Sequence, residues 1–436
     1  MRVALINHAR LTLPEGGRQL SSISIGIWVY EMATRLADRG WEVTAYSYRG
    51  GRFRSRETSH RGVDFVDVPT RFDDLWHRWL ERFWRWFGRT RRPRRPMFAS
   101  RLYYLFYAVR VALDIRKRGC DVVHVTNFSQ WVPIIRLFNP GVEVVLHMQC
   151  EWASQLDPEV MEPRLAASRR ITGCSHYIAD KIAERYPQFA DRCLGLHNGC
   201  NLEQFQPDPE RSRASREVVF IGRVSPEKGL HVLFEAWPDI VAEVPEATLS
   251  VIGPQTPAAY EFIVAIDDDP LVQAMERFYR APYLQTLREI LPDDVRSTVA
   301  FVDNLPQAQL QDAYSRAAVF VFPSEWNEPF GMPVIETGAA GTPIVTTRGG
   351  GIPELVVDGE TGFLVDRGDA GQLARAITRL LQDEDLRQRM GCEARRHVET
   401  HFGWDRIADR LHEILGGIDG VVAPRGDAAL VGKGHG

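Results

Sequence analysis

Residues 318–355, AVFVFPSEWNEPFGMPVIETGAAGTPIVTTRGGGIPEL, leave this chain the fewest options. The stretch opens with an apolar run, Ala318 to Phe322, halted by Pro323. A run this short, rich in β-branched and aromatic side chains, reads as a buried strand of a parallel sheet. A polar loop, Ser324 to Pro329, follows. Gly331-Met332-Pro333 then opens a helix, with Pro333 in the first turn, where a missing N–H costs nothing. Gly338 to Gly341 ends that helix, and after Pro343 a second strand runs from Ile344 to Thr347. The order is strand, loop, helix, strand. Ligands of open α/β sheets bind at the carboxyl ends of strands, where such loops lie.

Two carboxylates bracket the turn into the helix. Glu328 stands just before it and Glu336 within its first turns. Gly331 lets the backbone approach a ligand closely. The free N–H groups of the helix start suit an anion or a polarised hydroxyl. A carboxylate one turn further in can accept two hydrogen bonds from a vicinal diol. For either glutamate alone, favourable placement near a helix start is sufficient explanation. Both together, in Glu328-Pro-Phe-Gly-x-x-x-x-Glu336 behind a buried strand, point to a site.

That string resembles the retaining glycosyltransferases of family four, whose fold is GT-B. The resemblance implies two facing Rossmann-like α/β domains with the active site in the cleft between them. It also implies that Glu336 holds a nucleotide ribose. Glu328 and the backbone at Phe330 and Gly331 would hold the donor sugar and its phosphate.

Size agrees with two domains, since 436 residues exceed one core. The division expected is 1–207 for the acceptor side, 208–216 (DPERSRASR) as linker and 217–401 for the nucleotide sugar. Helix 402–416 would return to the first domain, and 417–436 would be a flexible Gly- and Ala-rich tail. The net charge of −4 does not suggest nucleic acid. Cys120, Cys150, Cys174, Cys193, Cys200 and Cys392 form no C-x-x-C pair, so neither zinc nor a disulfide framework is expected. The start, MRVALINHAR, lacks the apolar region of a signal peptide, and no run reaches membrane-spanning length. A cytoplasmic location is expected, or a peripheral one on the inner membrane face.

In the N-terminal half, strands read at 3–7, 42–47, 63–68, 122–126, 144–148 and 171–175, with helical patterns between several of them. One helix, Trp28–Arg39, is stopped by Gly40. This alternation predicts a parallel sheet. The family usually carries a Gly-Gly pair in the loop after the first strand. Here Ile23 and Ser24 stand near that place, Gly16-Gly17 lie earlier, and Gly26 is the donor-side glycine chosen. By the resemblance, His147 at a strand's carboxyl end faces the donor sugar; the plainer reading is a satisfied core histidine. His124 and Asn127 would line the acceptor side.

Residues 71–118 are the most individual part. Phe72, Trp76, Trp79, Leu80, Phe83 and Phe87 fall on one helical face, and Arg78, Arg82, Arg85 and Arg89 on the opposite one. The basic run RTRRPRRP follows. An aromatic face beside an arginine face suits an anionic membrane surface. The alternative is a helix packed on its own domain with solvated arginines.

His197-Asn198-Gly199 and Asn201 to Pro207 resemble the family's interdomain string. In the second half, strand 218–222 leads into Gly222-Arg223-x-x-x-x-Lys228-Gly229 and then a helix. Arginine can offset a diphosphate with a two-pronged contact and lysine as a point charge. The resemblance gives both that task, in place of a metal. Asp267-Asp268-Asp269 satisfies an Asp-x-Asp metal pattern, but helix capping explains it better. It sits in a segment, 256–282, longer than is usual for the family. After strand 299–302, Asp303-Asn304 stand where the family commonly has glycine.

The expected reaction is transfer of a sugar from a nucleotide-diphosphate donor to an acceptor hydroxyl, retaining configuration, with no cofactor or metal. The acceptor would be a glycan, a small molecule, or a lipid-linked or membrane-proximal group. Arg223, Lys228, Glu328 and His147 would carry catalysis. Two alternatives stay open: a nucleotide-sugar epimerase, and an inactive membrane-docked nucleotide-sugar-binding protein.

Overall fold

A computed structural model describes residues 1–9, 11, 24–87, 94–208, 215–418, 420 and 421, the side chains of 80–87, 307 and 308 excepted. Gly16-Gly17, Ile23, most of the linker 208–216 and nearly all of the tail lie outside the described residues. The chain forms two compact units. One comprises Met1–Cys174, Ala179–Leu196 and Trp404–Gly436; the other comprises Ser175–Ile178 and His197–Gly403. Residues 197–207 therefore count with the second unit, where Phe205 packs edge-on against Tyr314 at 5.7 Å.

The first unit is built on an eight-stranded sheet: β1 (Arg2–Ile6), β2 (Glu42–Arg49), β3 (Arg56–His60), β4 (Val63–Pro69), β5 (Val122–Thr126), β6 (Glu143–Met148), β7 (Arg170–Gly173) and β8 (Cys193–Gly195), in the order β3-β4-β2-β1-β5-β6-β7-β8. All neighbours are parallel except β3, which pairs antiparallel with β4. Val3, Leu5, Val122, Val123, Val144 and Leu146 are fully buried, as strands covered on both faces require. Helix α1 (Ser24–Asp38) buries Trp28, Val29, Met32 and Leu36. The last helix, Trp404–Gly416, packs beside α1 within this unit. Arg39 meets Asp409 there at 2.6 Å, and Trp41 Nε1 donates to His412 Nδ1 at 3.0 Å.

Helix α2 (Arg71–Phe87) attaches by its polar side. Asp73 is wholly buried and accepts the amides of Phe106 and Tyr107, at 2.9 and 3.0 Å, capping helix α3 (Leu105–Arg118). His77 Nε2 accepts the Tyr104 amide at 3.1 Å. Phe72 and Trp79 consequently remain 48% and 54% exposed. Asp73 and His77 thus tie α2 to its own unit, and Phe72 of the aromatic stripe also meets Phe106 of α3 at 6.3 Å. The side chains of Leu80, Phe83, Phe87, Arg82 and Arg85, and Arg89 with residues 90–93, lie outside the described set. Of the basic run, Arg95 is paired with Asp157 at 2.6 Å and also with Glu159. Among the described residues no helix is long and apolar enough to cross a membrane.

The second unit has a six-stranded parallel sheet: β9 (Glu217–Ile221), β10 (Thr248–Ile252), β11 (Val299–Val302), β12 (Val319–Phe322), β13 (Ile344–Thr347) and β14 (Gly362–Val365), in the order β11-β10-β9-β12-β13-β14. All four residues of β12 are buried, as are all four of β13. Strand order reverses between β9 and β12, the kind of switch point at which open α/β sheets bind ligands.

Candidate active site

From the carboxyl ends of β9 and β12, two loops leave side by side. The first, 222–229, ends in a single turn, Pro226–Lys228, before the Leu230–Glu243 helix. The second, 323–331, leads into the Met332–Ala339 helix. Their backbones are stitched together. Glu325 N donates to the Glu227 carbonyl at 2.9 Å, and Ser324 Oγ lies 3.1 Å from the same oxygen, its single proton shared between that carbonyl and Glu328 Oε2. Gly229 makes this approach feasible. Its φ is +71°, and a Cβ there would stand 1.8 Å from the Pro323 carbonyl oxygen. Gly331 is likewise constrained, with φ +111° and a Cβ that would meet Ile352 Cδ1 at 2.7 Å.

The result is direct contact between the two motifs. Lys228 Nζ donates to Glu328 Oε2 at 2.6 Å. Trp326 Nε1 and Ser324 Oγ donate to the same oxygen at 2.7 and 3.2 Å. The Lys228 ammonium also lies 5.2 Å from the ring centres of Phe322 and Trp326, within cation–π range. All three bonds to Glu328 end on Oε2, and Oε1 accepts none among the described residues. Glu328 thus has one oxygen fixed and one unused. Arg223, on the same loop, is exposed and makes no side-chain ion pair or hydrogen bond among the described residues. Gly222 is half-buried at the end of β9.

Glu336 lies inside the Met332–Ala339 helix and is 8% exposed. Tyr314 Oη donates to its Oε2 at 2.8 Å. Burial pushes this carboxyl up to about 7, although the Tyr314 bond pulls the other way. Phe330, 3% exposed, packs against His197 and Phe402 at ring-centre distances of 5.9 and 6.1 Å. The Met332–Ala339 helix start therefore has a buried aromatic on one side and a buried acid one turn in.

The candidate residues of the first unit are more enclosed. Gly26 is buried within the first turn of α1. His147 is fully buried, with Nδ1 at 2.9 Å from Thr172 Oγ1 and Nε2 at 2.7 Å from Gln149 Nε2. Its ring stacks on Trp28 at 4.6 Å, and burial holds its pKa well below the ordinary value. His147 therefore has the environment of a satisfied core histidine, not of one facing a sugar. The reason is Trp28, which α1 lays over the ring. His124 also stacks on Trp28, at 4.9 Å, beside His147 with their ring centres 5.2 Å apart; it is fully buried, and burial holds it down at about 3. Neither ring reaches solvent, so His124 forms no part of an open acceptor surface. Asn127 adopts a left-handed φ of 62°, and its Oδ1 accepts the Gln149 amide at 2.6 Å. That bond ties the ends of β5 and β6 together.

Sequence reasoning passed over Trp326, Ser324 and Tyr314. Trp326 and Ser324 stand within four residues of Glu328, which was the available signal; Tyr314 had none. It also passed over Glu354, which accepts the His176 and Tyr177 amides at 2.9 and 2.7 Å and His197 Nε2 at 2.6 Å. His176, His197 and Glu354 bring ligand atoms within 4.8 Å of one another, yet these bonds make the acid a cap. The Asp-x-Asp pattern is engaged as well. Asp269 caps the Pro270–Ala274 helix through the Leu271 amide at 2.9 Å and pairs with Arg367 at 2.7 Å.

Two parallel-sheet α/β domains, with a switch-point site of paired lysine and glutamate, define a glycosyltransferase of the GT-B fold. Comparison with known proteins agrees. Residues 203–397 match the family described as glycosyl transferases group 1, and residues 25–204 match glycosyltransferase family 4. Spore coat protein SA of Bacillus subtilis is 30% identical over 325 residues, covering 70% of this chain and 80% of that protein. A D-inositol 3-phosphate glycosyltransferase of Streptomyces avermitilis is 31% identical over 259 residues, 57% of this chain and 52% of that one. The chain belongs to the family 4 glycosyltransferases. Among solved structures, sucrose-phosphate synthase from Thermosynechococcus elongatus shares its fold with a TM-score of 0.66, at 20% identity over 95% of this chain and 98% of that one. HepE of Anabaena, solved with UDP and glucose, does so with a TM-score of 0.63, at 14% identity over 95% and 99%.

Proposed function

We propose that this glycosyltransferase moves a sugar from a nucleotide-diphosphate donor to an acceptor hydroxyl with retention of configuration. The Lys228–Glu328 contact carries the reading, because it joins a cation of one loop to an acid of the other at the sheet's switch point. Arg223 and Lys228 offset the charge of the leaving diphosphate, aided by the backbone N–H groups at the start of the Met332–Ala339 helix. The unused Glu328 Oε1 accepts a hydroxyl of the donor sugar. Glu336 accepts the ribose diol. Positioning and electrostatics then supply the rate enhancement, and the leaving oxygen takes the acceptor's proton on the same face. His147 would reach a sugar only by releasing Gln149, so this reading leaves it a structural part.

No metal ion or cofactor is needed in this reading. Two basic residues supply the positive charge, and Asp269 of the Asp-x-Asp string is already paired. Turnover that persists in chelator would agree; turnover abolished by chelator and restored by a divalent cation would not. A HepE structure holds UDP with glucose, which supports a nucleotide-sugar donor here.

The acceptor is membrane-proximal in this proposal. Phe53, Phe72, Leu75, Trp79 and Phe106 are exposed large apolar side chains of the first unit. Phe72 touches both Phe53 and Phe106, and Arg71 and Arg110 lie over Phe53 and Phe72 at 4.0 and 5.8 Å. Aromatics interleaved with arginine suit the interface of an anionic bilayer.

The test is incubation of the purified chain with a panel of nucleotide sugars, following nucleotide release. Wild type should turn over one or more donors. Lys228→Ala should lose roughly 10²–10³ in turnover, as expected for removal of one charge-stabilising donor, with the fold retained by circular dichroism. Near-normal turnover of the variant would remove this mechanism. Isomerised donor without acceptor would favour an epimerase instead, and nucleotide binding without release an inactive binding protein.

A further inference from the structure

The loop carrying Glu328 is braced by a segment distant in sequence. Residues 256–282 fold as short helices whose Ile263, Val264, Ile266, Val272 and Met275 are buried in the second unit. From this segment Asp269 projects to the Glu328 loop. Its Oδ1 caps the Pro270–Ala274 helix through the Leu271 amide at 2.9 Å. Its Oδ2 accepts Arg367 Nη2 at 2.7 Å and Asn327 Nδ2 at 3.2 Å. Arg367 in turn donates through Nη1 to the Glu325 carbonyl at 3.1 Å. Both side chains are largely shielded, 15% exposed for Asp269 and 18% for Arg367.

The three residues between Ser324 and Glu328 are thus each held by a different partner. Glu325 is held at its carbonyl by Arg367, Trp326 at its ring nitrogen by Glu328, and Asn327 at its side chain by Asp269. Two of the three tethers depend on the Asp269–Arg367 pair. A guanidinium can bridge two acceptors in a fixed fork, which a lysine cannot reproduce. With the pair broken, a shielded Arg367 loses its ion-pair partner and keeps the weaker field of Glu325, and the loop between 325 and 328 loses its outer support. Trp326 and Lys228 then act on a Glu328 whose backbone can shift.

We propose that Asp269 and Arg367 form a positioning pair, which aims the free Oε1 of Glu328 at the donor sugar. Asp269 acts through Arg367 and Asn327, touches no substrate, and binds no metal. The proposal rests on the reading of Glu328 as a donor-sugar contact.

Asp269→Asn is the informative variant. Asparagine caps a helix about as well as aspartate, so Leu271 keeps its acceptor, while the charge facing Arg367 is removed. Arg367→Lys removes the fork and keeps the charge. Amide exchange of residues 324–330 in the ligand-free variants should speed up, while exchange in β9 and β12 stays as in wild type. With the donor that wild type turns over, kcat should fall roughly 10- to 100-fold, the scale of a reacting group displaced by about an ångström. KM for the donor should move less than about threefold. The double variant should be no worse than the worse single one, because both break one unit. Unchanged exchange at 324–330 would overturn the brace, whether or not any donor is turned over. Faster exchange with unaltered kcat, or two additive defects, would overturn the positioning role. Failure of wild type on every donor would instead strike the proposed reaction, and exchange would still decide the brace.

Discussion

Glu336→Gln should stabilise the protein and weaken its hold on nucleotide. Glu336 is 8% exposed, and among the described residues its carboxylate has one hydrogen bond, from Tyr314 at 2.8 Å. Burial carries its carboxyl from the ordinary 4.5 to about 7. Raising a carboxyl that far corresponds to about 3 kcal/mol, at 1.36 kcal/mol per decade. The folded state binds the proton more tightly than the unfolded state. The stability associated with that proton is therefore complete below pH 4.5 and disappears as pH rises through 7. Glutamine is neutral throughout and still offers Tyr314 an oxygen. The variant should match wild type near pH 4.5 and exceed it by about 3 kcal/mol at pH 8. For a unit of this size, that is a rise of roughly 6–12 °C in melting temperature. The same change replaces a charged acceptor of two hydroxyls by an amide with one acceptor oxygen. Affinity for UDP, GDP or ADP, whichever wild type binds, should drop at least about tenfold, since hydrogen bonds to charged groups contribute about 1.5–3 kcal/mol. Paired melts at pH 4.5, 6 and 8 with calorimetric titrations of the three nucleotides read both effects. A variant no more stable than wild type at pH 8, or one that binds nucleotide normally, would refute the argument.

Trp326→Phe removes one of three donors to Glu328 Oε2 and should lower kcat/KM about three- to tenfold, near 1 kcal/mol, with thermal unfolding unaltered. Gly229→Ala forces a Cβ to 1.8 Å from the Pro323 carbonyl and a side chain into φ +71°. It should cost more than about 3 kcal/mol in denaturant unfolding, and a melt like that of wild type would refute the contact between the loops. Replacing Phe72 and Trp79 by serine should cut co-sedimentation with anionic vesicles by at least about tenfold, given about 1.5–3 kcal/mol for each buried large apolar side chain. Changing Arg78, Arg82, Arg85 and Arg89 to glutamate should do the same, and binding unchanged in both variants would sink the membrane contact.

Much of the fold was legible because its strands are short apolar runs between turn residues. The runs at 122–126, 299–302 and 344–347 coincide with β5, β11 and β13. β3 was not legible: RETSH contains no apolar residue, and the strand exists because β4 supplies its hydrogen bonds at the sheet edge. The aromatic periodicity of α2 was legible, but its attachment was not. A helical wheel weights the six aromatic and aliphatic positions and cannot show that Asp73 is needed to cap α3, about thirty residues further on. His147 shows the same limit. Its place at a strand end was readable, whereas the Trp28 ring stacked upon it comes from a helix more than a hundred residues earlier.

What the sequence determined by itself was local. Apolar runs set the strands, proline and glycine set the helix ends, and two motifs marked loops with the charges a diphosphate sugar would require. Tertiary structure decided which of those charges meet. Lys228 and Glu328 are 100 residues apart along the chain and 2.6 Å apart in space, because β9 and β12 pair at the point where strand order reverses. It also decided that Glu336 meets Tyr314 and that Asp269 faces Arg367 across 98 residues. Backbone preferences act over a few residues and so can be read along the chain. Charge pairing and desolvation depend on distance in space, which only the packed sheet defines.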